Sequence, residues 1–368
     1  MHQITENTTI GELCGYEEYR PVSDYFFTNM TEDVWENPLK HYGYEKCGFE
    51  EALERVRTIL AEKIPMVYDV GAEEVKLIYM PAIGENADNK ADGTADENAD
   101  NKADGTADEN ADNKVDGSLP YVVVCPGGAY ARQWGLIEGI AVGAVWNRLG
   151  YPAFILYYRT AQKPLLPKPI DDLAAAIRLI EERAEEFRVE KGNYAVAGFS
   201  AGGHLAAEWG TTNHGWSHYG LPKPGTLFLA YPSASNDVFC DALEQAKAAG
   251  ASEAQMASGR NYLERVGGPD FTRESLREYS IEYHMDDSYP PVYLLACKDD
   301  PVVPIESSYV LLKALEDHHI PHQSRIAETG GHSFGVGNHT QMHGWLEEAA
   351  GFWETQRGRN QEAGDGKN

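Results

Sequence analysis

The sequence is short of three things. No stretch approaches the roughly 18 consecutive apolar residues needed to span a bilayer, and the opening MHQITENTTIGELCG has no basic segment followed by an apolar run. These absences speak against a membrane span and a secretory leader, and a cytoplasmic location is the expectation. Cysteine is scarce: Cys14, Cys47, Cys125, Cys240 and Cys297 are odd in number and scattered, with no CxxC spacing or paired histidines. That pattern supports neither a disulfide framework nor a zinc site, so no metal and reduced thiols are expected. Basic residues are also few, 31 Lys and Arg against 58 Asp and Glu, a formal net charge of −27. Such a balance repels phosphate backbones and anionic lipid, which disfavours nucleic acid and membrane surfaces as partners.

What remains is enough for a large core. The chain has 368 residues, 42% hydrophobic and 11% aromatic, which implies one large folded domain with additions. One addition is plain: ENADNKADGTAD begins at Glu85, recurs from Glu97 and starts again at Glu109 before degrading at Val115. Residues 85–118 hold eleven acids and three lysines and almost nothing that can be buried, the composition of a disordered insertion. Asp88, Asp92 and Gly93 fall where an EF-hand loop needs them, but Lys90 takes the third ligand position and Ala99 the twelfth, so calcium is not expected.

Elsewhere, apolar or β-branched runs at Met66–Val70, Val75–Met80, Tyr121–Cys125, Ala153–Tyr158, Tyr194–Ala197, Thr226–Tyr231, Val292–Cys297 and Gln323–Ile326 read as eight strands. Helix-period segments separate the later ones, at Gly139–Leu149, Asp171–Phe187, Gly202–Trp209 and Ser308–His318. The expected fold is α/β, a mainly parallel eight-stranded sheet with helices on both faces. Residues 1–64, with a helix at Phe49–Lys63, read as an N-terminal extension packed on a 65–355 domain. The polar residues 356–368 read as a flexible tail, and the helix-rich 233–289 as a small cap.

Gly198-Phe199-Ser200-Ala201-Gly202 follows the fifth strand and opens a small-residue helix, the strand–turn–helix setting that gives G-x-S-x-G its meaning. A serine hydroxyl is a weak nucleophile until a base takes its proton, so a histidine and an orienting carboxylate are required downstream. The seventh strand ends in Lys298-Asp299-Asp300-Pro301, and the eighth is followed by Thr329-Gly330-Gly331-His332-Ser333. Ser200, Asp300 and His332 are thus the candidate catalytic residues, in the chain order of the α/β-hydrolases. Asp299 reads as a turn carboxylate or backbone cap, with an exchange of roles between the two aspartates left open. Developing negative charge needs donors. The third strand ends in Cys125-Pro126-Gly127-Gly128-Ala129, so the backbone N–H groups of Gly128, Ala129 and Ala201 are the candidate oxyanion donors. His204, on the elbow helix, reads as a packed residue, and Arg159, Asp172 and Glu138 as structural charges. Leu243, Met256, Tyr262 and Leu263 either line a pocket or pack the cap.

The blocks VVVCPGGAY, GYPAFILYYR, PIDDLAAAIRLI, GFSAGGHLA, DPVVP and GGHSFG, spread over Tyr121 to Trp353, resemble the bacterial α/β-hydrolase esterases related to acetyl xylan esterases and the hormone-sensitive-lipase branch. Pro126 stands where the HGGG-type turn has histidine, the acidic repeat has no counterpart, and the N-terminal segment carries no match. The resemblance implies an α/β-hydrolase fold with a helical cap and a cofactor-free serine carboxylesterase. Its substrate would be a short acyl ester, acetyl above all, of a small molecule, a sugar or a xylo-oligosaccharide. It leaves oligomeric state open. The alternatives are a serine peptidase of the dipeptidyl-peptidase type, which needs a gate the chain has no room for, and a non-catalytic hydrolase-fold binding module.

Overall fold

The structure, a computed structural model, describes residues 2–83 and 118–365. The acidic repeat lies outside the described residues, except for its last residue, Ser118.

Eight strands form one sheet: β1 (Val67–Val70), β2 (Ala72–Met80), β3 (Leu119–Cys125), β4 (Ala153–Tyr157), β5 (Val189–Phe199), β6 (Thr226–Ala230), β7 (Val292–Cys297) and β8 (His322–Ala327), in the order β1-β2-β4-β3-β5-β6-β7-β8. Only β1–β2 and β2–β4 run antiparallel. The helices used below are α1 (Phe49–Ala61), α2 (Ala141–Arg148), α3 (Lys168–Glu182), α4 (Ala201–Gly210), α5 (Asn236–Ala248), α6 (Glu253–Gly267), α7 (Ile305–Asp317) and α8 (Trp345–Asp365). Every residue of β3, β4, β6 and β7 is buried, which is why those strands read as continuous apolar runs.

Side-chain alternation sorts the core into two layers. Val122, Val124, Ile155, Ala195 and Ala197 face α1, α2 and α8. The same layer takes in Ile10, Leu13, Phe26, Phe49 and Ile59 of the N-terminal segment. Tyr121, Val123, Leu156, Val196 and Leu229 face α3, α4 and α7, and Tyr262 and Leu263 of α6 belong to that layer. The mainly parallel sheet with helices on both faces and the short helices α5 and α6 between β6 and β7 form an α/β-hydrolase fold. Helix α8 runs through residues 356–365, assigned to a flexible tail from the sequence; Gln, Arg, Glu and Ala there are good helix formers. Among the described residues no helix is long and apolar enough to cross a membrane.

Parallel pairing brings the carboxyl ends of β3, β5, β6, β7 and β8 to one edge, with Cys125 opposite Gly198, Phe199 opposite Ala230 and Cys297 opposite Ala327. Loops leaving that edge converge by construction.

Candidate active site

The turn after β5 is the tightest point of the edge. Ser200 has φ 54° and ψ −117°, a conformation that non-glycine residues adopt only where the surroundings impose it. Its N–H donates to the carbonyl of Ala230 at 3.0 Å, and its own carbonyl accepts from His204 and Ser233 N–H at 3.0 and 3.2 Å. Close packing explains the flanking glycines. A Cβ on Gly198 would lie 2.2 Å from the Gly202 carbonyl oxygen, and one on Gly202 would lie 2.0 Å from that of Cys125. The hydroxyl of Ser200 is thereby held at the amino end of α4, facing the cavity.

His332 is carried by the loop after β8. Both carboxylate oxygens of Asp299 accept from that loop, from Gly330 N–H at 3.2 Å and Gly331 N–H at 2.8 Å. Asp300 works inward: one oxygen accepts from Val302 and Val303 N–H at 2.8 and 3.0 Å, and the other lies 2.7 Å from His332 Nδ1. With Nδ1–H donating to that carboxylate, Nε2 is the free acceptor, and it stands 3.0 Å from Ser200 Oγ. Ser200, His332 and Asp300 are therefore hydrogen-bonded in series, and Asp299 braces the histidine loop instead.

The loop after β3 faces this series. Gly128, Ala129 and Tyr130 have φ of 138°, 54° and 57°, so the chain coils tightly beside the elbow. Gly128 must be glycine, because a Cβ there would lie 2.2 Å from the Arg132 carbonyl oxygen. Among the described residues, neither Gly128 nor Ala129 N–H donates to another backbone group. With Ala201 N–H at the start of α4, where no intrahelical acceptor exists, they form a set of donors beside Ser200 with the composition of an oxyanion hole.

A buried carboxylate lies behind that loop. The chain enters α2 through one wide turn, Gly135–Ile140, that aims Glu138 inward. Glu138 accepts from Gly127 N–H at 2.7 Å and Tyr231 Oη at 2.9 Å, and the Tyr231 ring packs on the His332 imidazole with centroids 4.6 Å apart. Burial pushes the Glu138 carboxyl above its usual range, against the opposing effects of the His332 charge and its hydrogen bonds. Arg159 and Asp172 pair at 2.6 Å and anchor the loop after β4 to α3.

Above Ser200 is a cavity of about 520 Å³. Besides Val302, His332 and Ser333 of the loops after β7 and β8, its walls come from Gly128, Ala129, Arg132 and Trp134 after β3; Ser258, Asn261 and Arg265 on α6; and His41, Tyr42 and Lys46 of the N-terminal segment. Neither of the latter two sets was singled out from the sequence. Ser258, Asn261 and Arg265 share one face of α6, whereas Met256 and Leu263 on its other side, and Tyr262 flanking that face, are buried, so these apolar residues pack the cap. Leu243 sits partly buried against the same layer. The signal for the N-terminal wall was the cluster of aromatics and glycines at 41–48, because the Tyr42 ring packs at a tilt against Phe27 and Trp134, with centroids 6.0 and 5.7 Å away. His204 stands apart from the cavity, fully buried between Tyr130 Oη at 2.7 Å and the Tyr279 carbonyl at 2.8 Å. Among the described residues no group of three or more His, Cys, Asp or Glu is placed to hold a metal ion. The five cysteines are free thiols, four of them buried.

Comparison with known proteins bears on family and fold. A BD-FAE family model matches residues 109–315. The chain is 28% identical over 247 residues to endo-1,4-beta-xylanase B of Butyrivibrio fibrisolvens, covering 65% of this chain and 36% of that protein. It is 24% identical over 235 residues to an acetylxylan esterase of Xylanibacter ruminicola, covering 63% and 44%. The chain thus spans less than half the length of either curated relative. Among solved structures, it is similar to an acetyl ester-xyloside bifunctional hydrolase from Caldicellulosiruptor lactoaceticus, with a TM-score of 0.56 and 23% identity over 76% of this chain and 88% of that one, a likeness of fold.

Proposed function

The chain belongs to the BD-FAE family, and on that footing we propose that it is a serine carboxylesterase acting on short acyl esters, acetyl above all, of sugars or xylo-oligosaccharides. The observation that carries the reading is the hydrogen-bonded series: Ser200 Oγ 3.0 Å from His332 Nε2, and His332 Nδ1 2.7 Å from Asp300.

In this mechanism the Ser200 oxygen attacks the ester carbonyl as Nε2 takes its proton. Asp300 keeps Nδ1 protonated and stabilises the imidazolium. The tetrahedral oxyanion accepts from Gly128, Ala129 and Ala201 N–H. The imidazolium then returns its proton to the departing alcohol, leaving an acyl-Ser200 ester. Water, deprotonated by Nε2, attacks that ester, and collapse of the second tetrahedral intermediate frees the carboxylic acid and restores the serine. No cofactor enters.

The relative from Xylanibacter ruminicola is an acetylxylan esterase, which supports acetyl as the acyl group and a xylo-oligosaccharide as the alcohol. The aromatic wall of Tyr42 and Trp134 suits the flat face of a sugar ring. The same reading treats 65–355 as the hydrolase domain, 233–289 as its cap and 1–64 as an extension contributing to the pocket. Five unpaired thiols support the cytoplasm as its compartment. The test is a hydrolysis panel of short and long p-nitrophenyl esters, acetylated xylo-oligosaccharides and aminoacyl amides. Turnover concentrated in acetyl esters supports the reading. Preferential amide cleavage, or no turnover of any ester, overturns it.

A further inference from the structure

The cavity over Ser200 is electrostatically unlike the rest of the chain. Lys46, Arg132 and Arg265 line it and, among the described residues, no aspartate or glutamate does, in a protein whose acids outnumber its bases by 58 to 31. Several cations elsewhere in the fold are neutralised, Arg148 by Glu51 and Glu347, Arg273 by Asp241 and Glu244, and Lys163 by Glu264. Among the described residues the three in the cavity have no carboxylate within salt-bridge distance.

Their remaining contacts are weak. Arg132 reaches only the sulfur of Met30, at 3.8 Å. Arg265 donates to the carbonyl of Ala129 at 3.5 Å, and its Nε is buried with no partner. Burial, with the charge of Arg132 adding to it and that of Glu264 opposing it, holds the Arg265 guanidinium below its usual range, and Glu264 itself is engaged by Lys163. The acids nearest the site are already engaged: Glu138 by Gly127 and Tyr231, Asp299 by Gly330 and Gly331, Asp300 by His332, Val302 and Val303. A partly desolvated, unpaired guanidinium such as Arg265 is costly, and the charge of Arg132 across the same cavity adds repulsion. An anion between them removes both costs, and a carboxylate matches the planar fork of arginine.

Resting on the esterase reading above, we propose that the preferred substrate carries a carboxylate close to its ester, held by Arg132 and Arg265, with Lys46 lining the same cavity. Two sources share that chemistry, a uronic acid on the sugar that forms the alcohol part and a dicarboxylic half-ester that forms the acyl part; the sugar source is the one argued for. The pair lines the cavity that holds Ser200, where a carboxylate near the scissile ester would sit.

The experiment compares kcat/KM of the full chain on acetylated xylo-oligosaccharides of equal length with and without a uronic acid, and on p-nitrophenyl hemisuccinate against p-nitrophenyl butyrate. The expected result is a preference of about tenfold or more for the uronic-acid substrate, shrinking as salt is raised. Arg132→Ala and Arg265→Ala bring the ratio to within about twofold; any general loss of activity cancels in it. A preference confined to hemisuccinate keeps the carboxylate site and moves it to the acyl side. Neutral esters turned over equally well as acidic ones would overturn this inference and leave the esterase reading standing. Calorimetry with Ser200→Ala protein reads the same site without turnover. Equal binding of the acidic and neutral oligosaccharides there overturns the inference, even if no ester is hydrolysed.

Discussion

Tyr130 Oη lies 2.7 Å from His204 Nδ1 in a fully buried pair, so the loop after β3 and the helix after β5 are tied together directly behind the nucleophile. Nε2 of the same imidazole faces the Tyr279 carbonyl at 2.8 Å, which assigns the proton to Nε2 and makes the tyrosine hydroxyl the donor to Nδ1. Burial keeps His204 below the usual histidine range and therefore neutral.

Tyr130→Phe leaves that nitrogen without a donor in an apolar setting. The expected cost is about 1–3 kcal/mol of stability, read as a fall in Tm. Because Ala129 precedes the residue, turnover of p-nitrophenyl acetate should drop as well. An unchanged Tm would mean the pair does not hold the two elements together.

Glu138 is a positioning residue in this account. Glu138→Gln retains an acceptor for Gly127 N–H but removes the negative charge that the imidazolium of His332 interacts with during acyl transfer. The expected outcome is a loss of about tenfold in kcat, the equivalent of one pKa unit of interaction, with KM close to unchanged. Since burial raises this carboxyl's pKa, its charge costs the fold stability at neutral pH, and the variant's Tm should not fall. A rise in KM with constant kcat would contradict the assignment.

His214 bridges Glu208 at 2.8 Å and Glu278 at 3.0 Å. Burial pulls its pKa down, but the two carboxylates outweigh burial and the net shift is upward. A group whose folded pKa is raised stabilises fully below its unfolded value, about 6.5, and loses that contribution as pH climbs through the folded pKa. His214→Gln should therefore lower Tm more at pH 5.5 than at pH 8.5. Equal losses at both pH values would remove the charge from the explanation.

Burial pushes the thiols of Cys14 and Cys47 up to about 12, and burial with Asp299 and Asp300 nearby pushes that of Cys297 up to about 11. At pH 8 only about one part in a thousand of even the last is thiolate. Native protein should thus react slowly with a disulfide reagent, and all five thiols should titrate in denaturant. Rapid native labelling at Cys47 or Cys297 would show that the loops around His332 open readily.

Much of this was legible because it is local. Continuous apolar runs marked β3, β4, β6 and β7, since strands buried on both faces admit little else. The glycines around Ser200 and His332 are visible in sequence because backbone approach and left-handed φ leave few substitutes. The pocket walls were less legible. Which face of α6 meets the cavity depends on packing against Phe239 of α5 and the distant Tyr130 of the loop after β3, so the apolar Met256, Tyr262 and Leu263 drew attention and Arg265 did not. Lys46 and Tyr42 reach the site only because the N-terminal segment shares a core with α2 and α8, a long-range arrangement without a local signature. The continuation of α8 past residue 356 was missed because a polar, charged stretch reads equally well as exposed helix and as tail.

The central claim, that Ser200 is a nucleophile activated by His332, is tested most directly by covalent trapping. A fluorophosphonate should lose fluoride to the attacking Ser200 oxygen, with the proton passing to His332, and leave one phosphonyl group per chain. Peptide mass mapping should place that adduct on Ser200, and His332→Ala should slow its formation by orders of magnitude. An adduct on another residue, or labelling at the same rate without His332, would contradict the account.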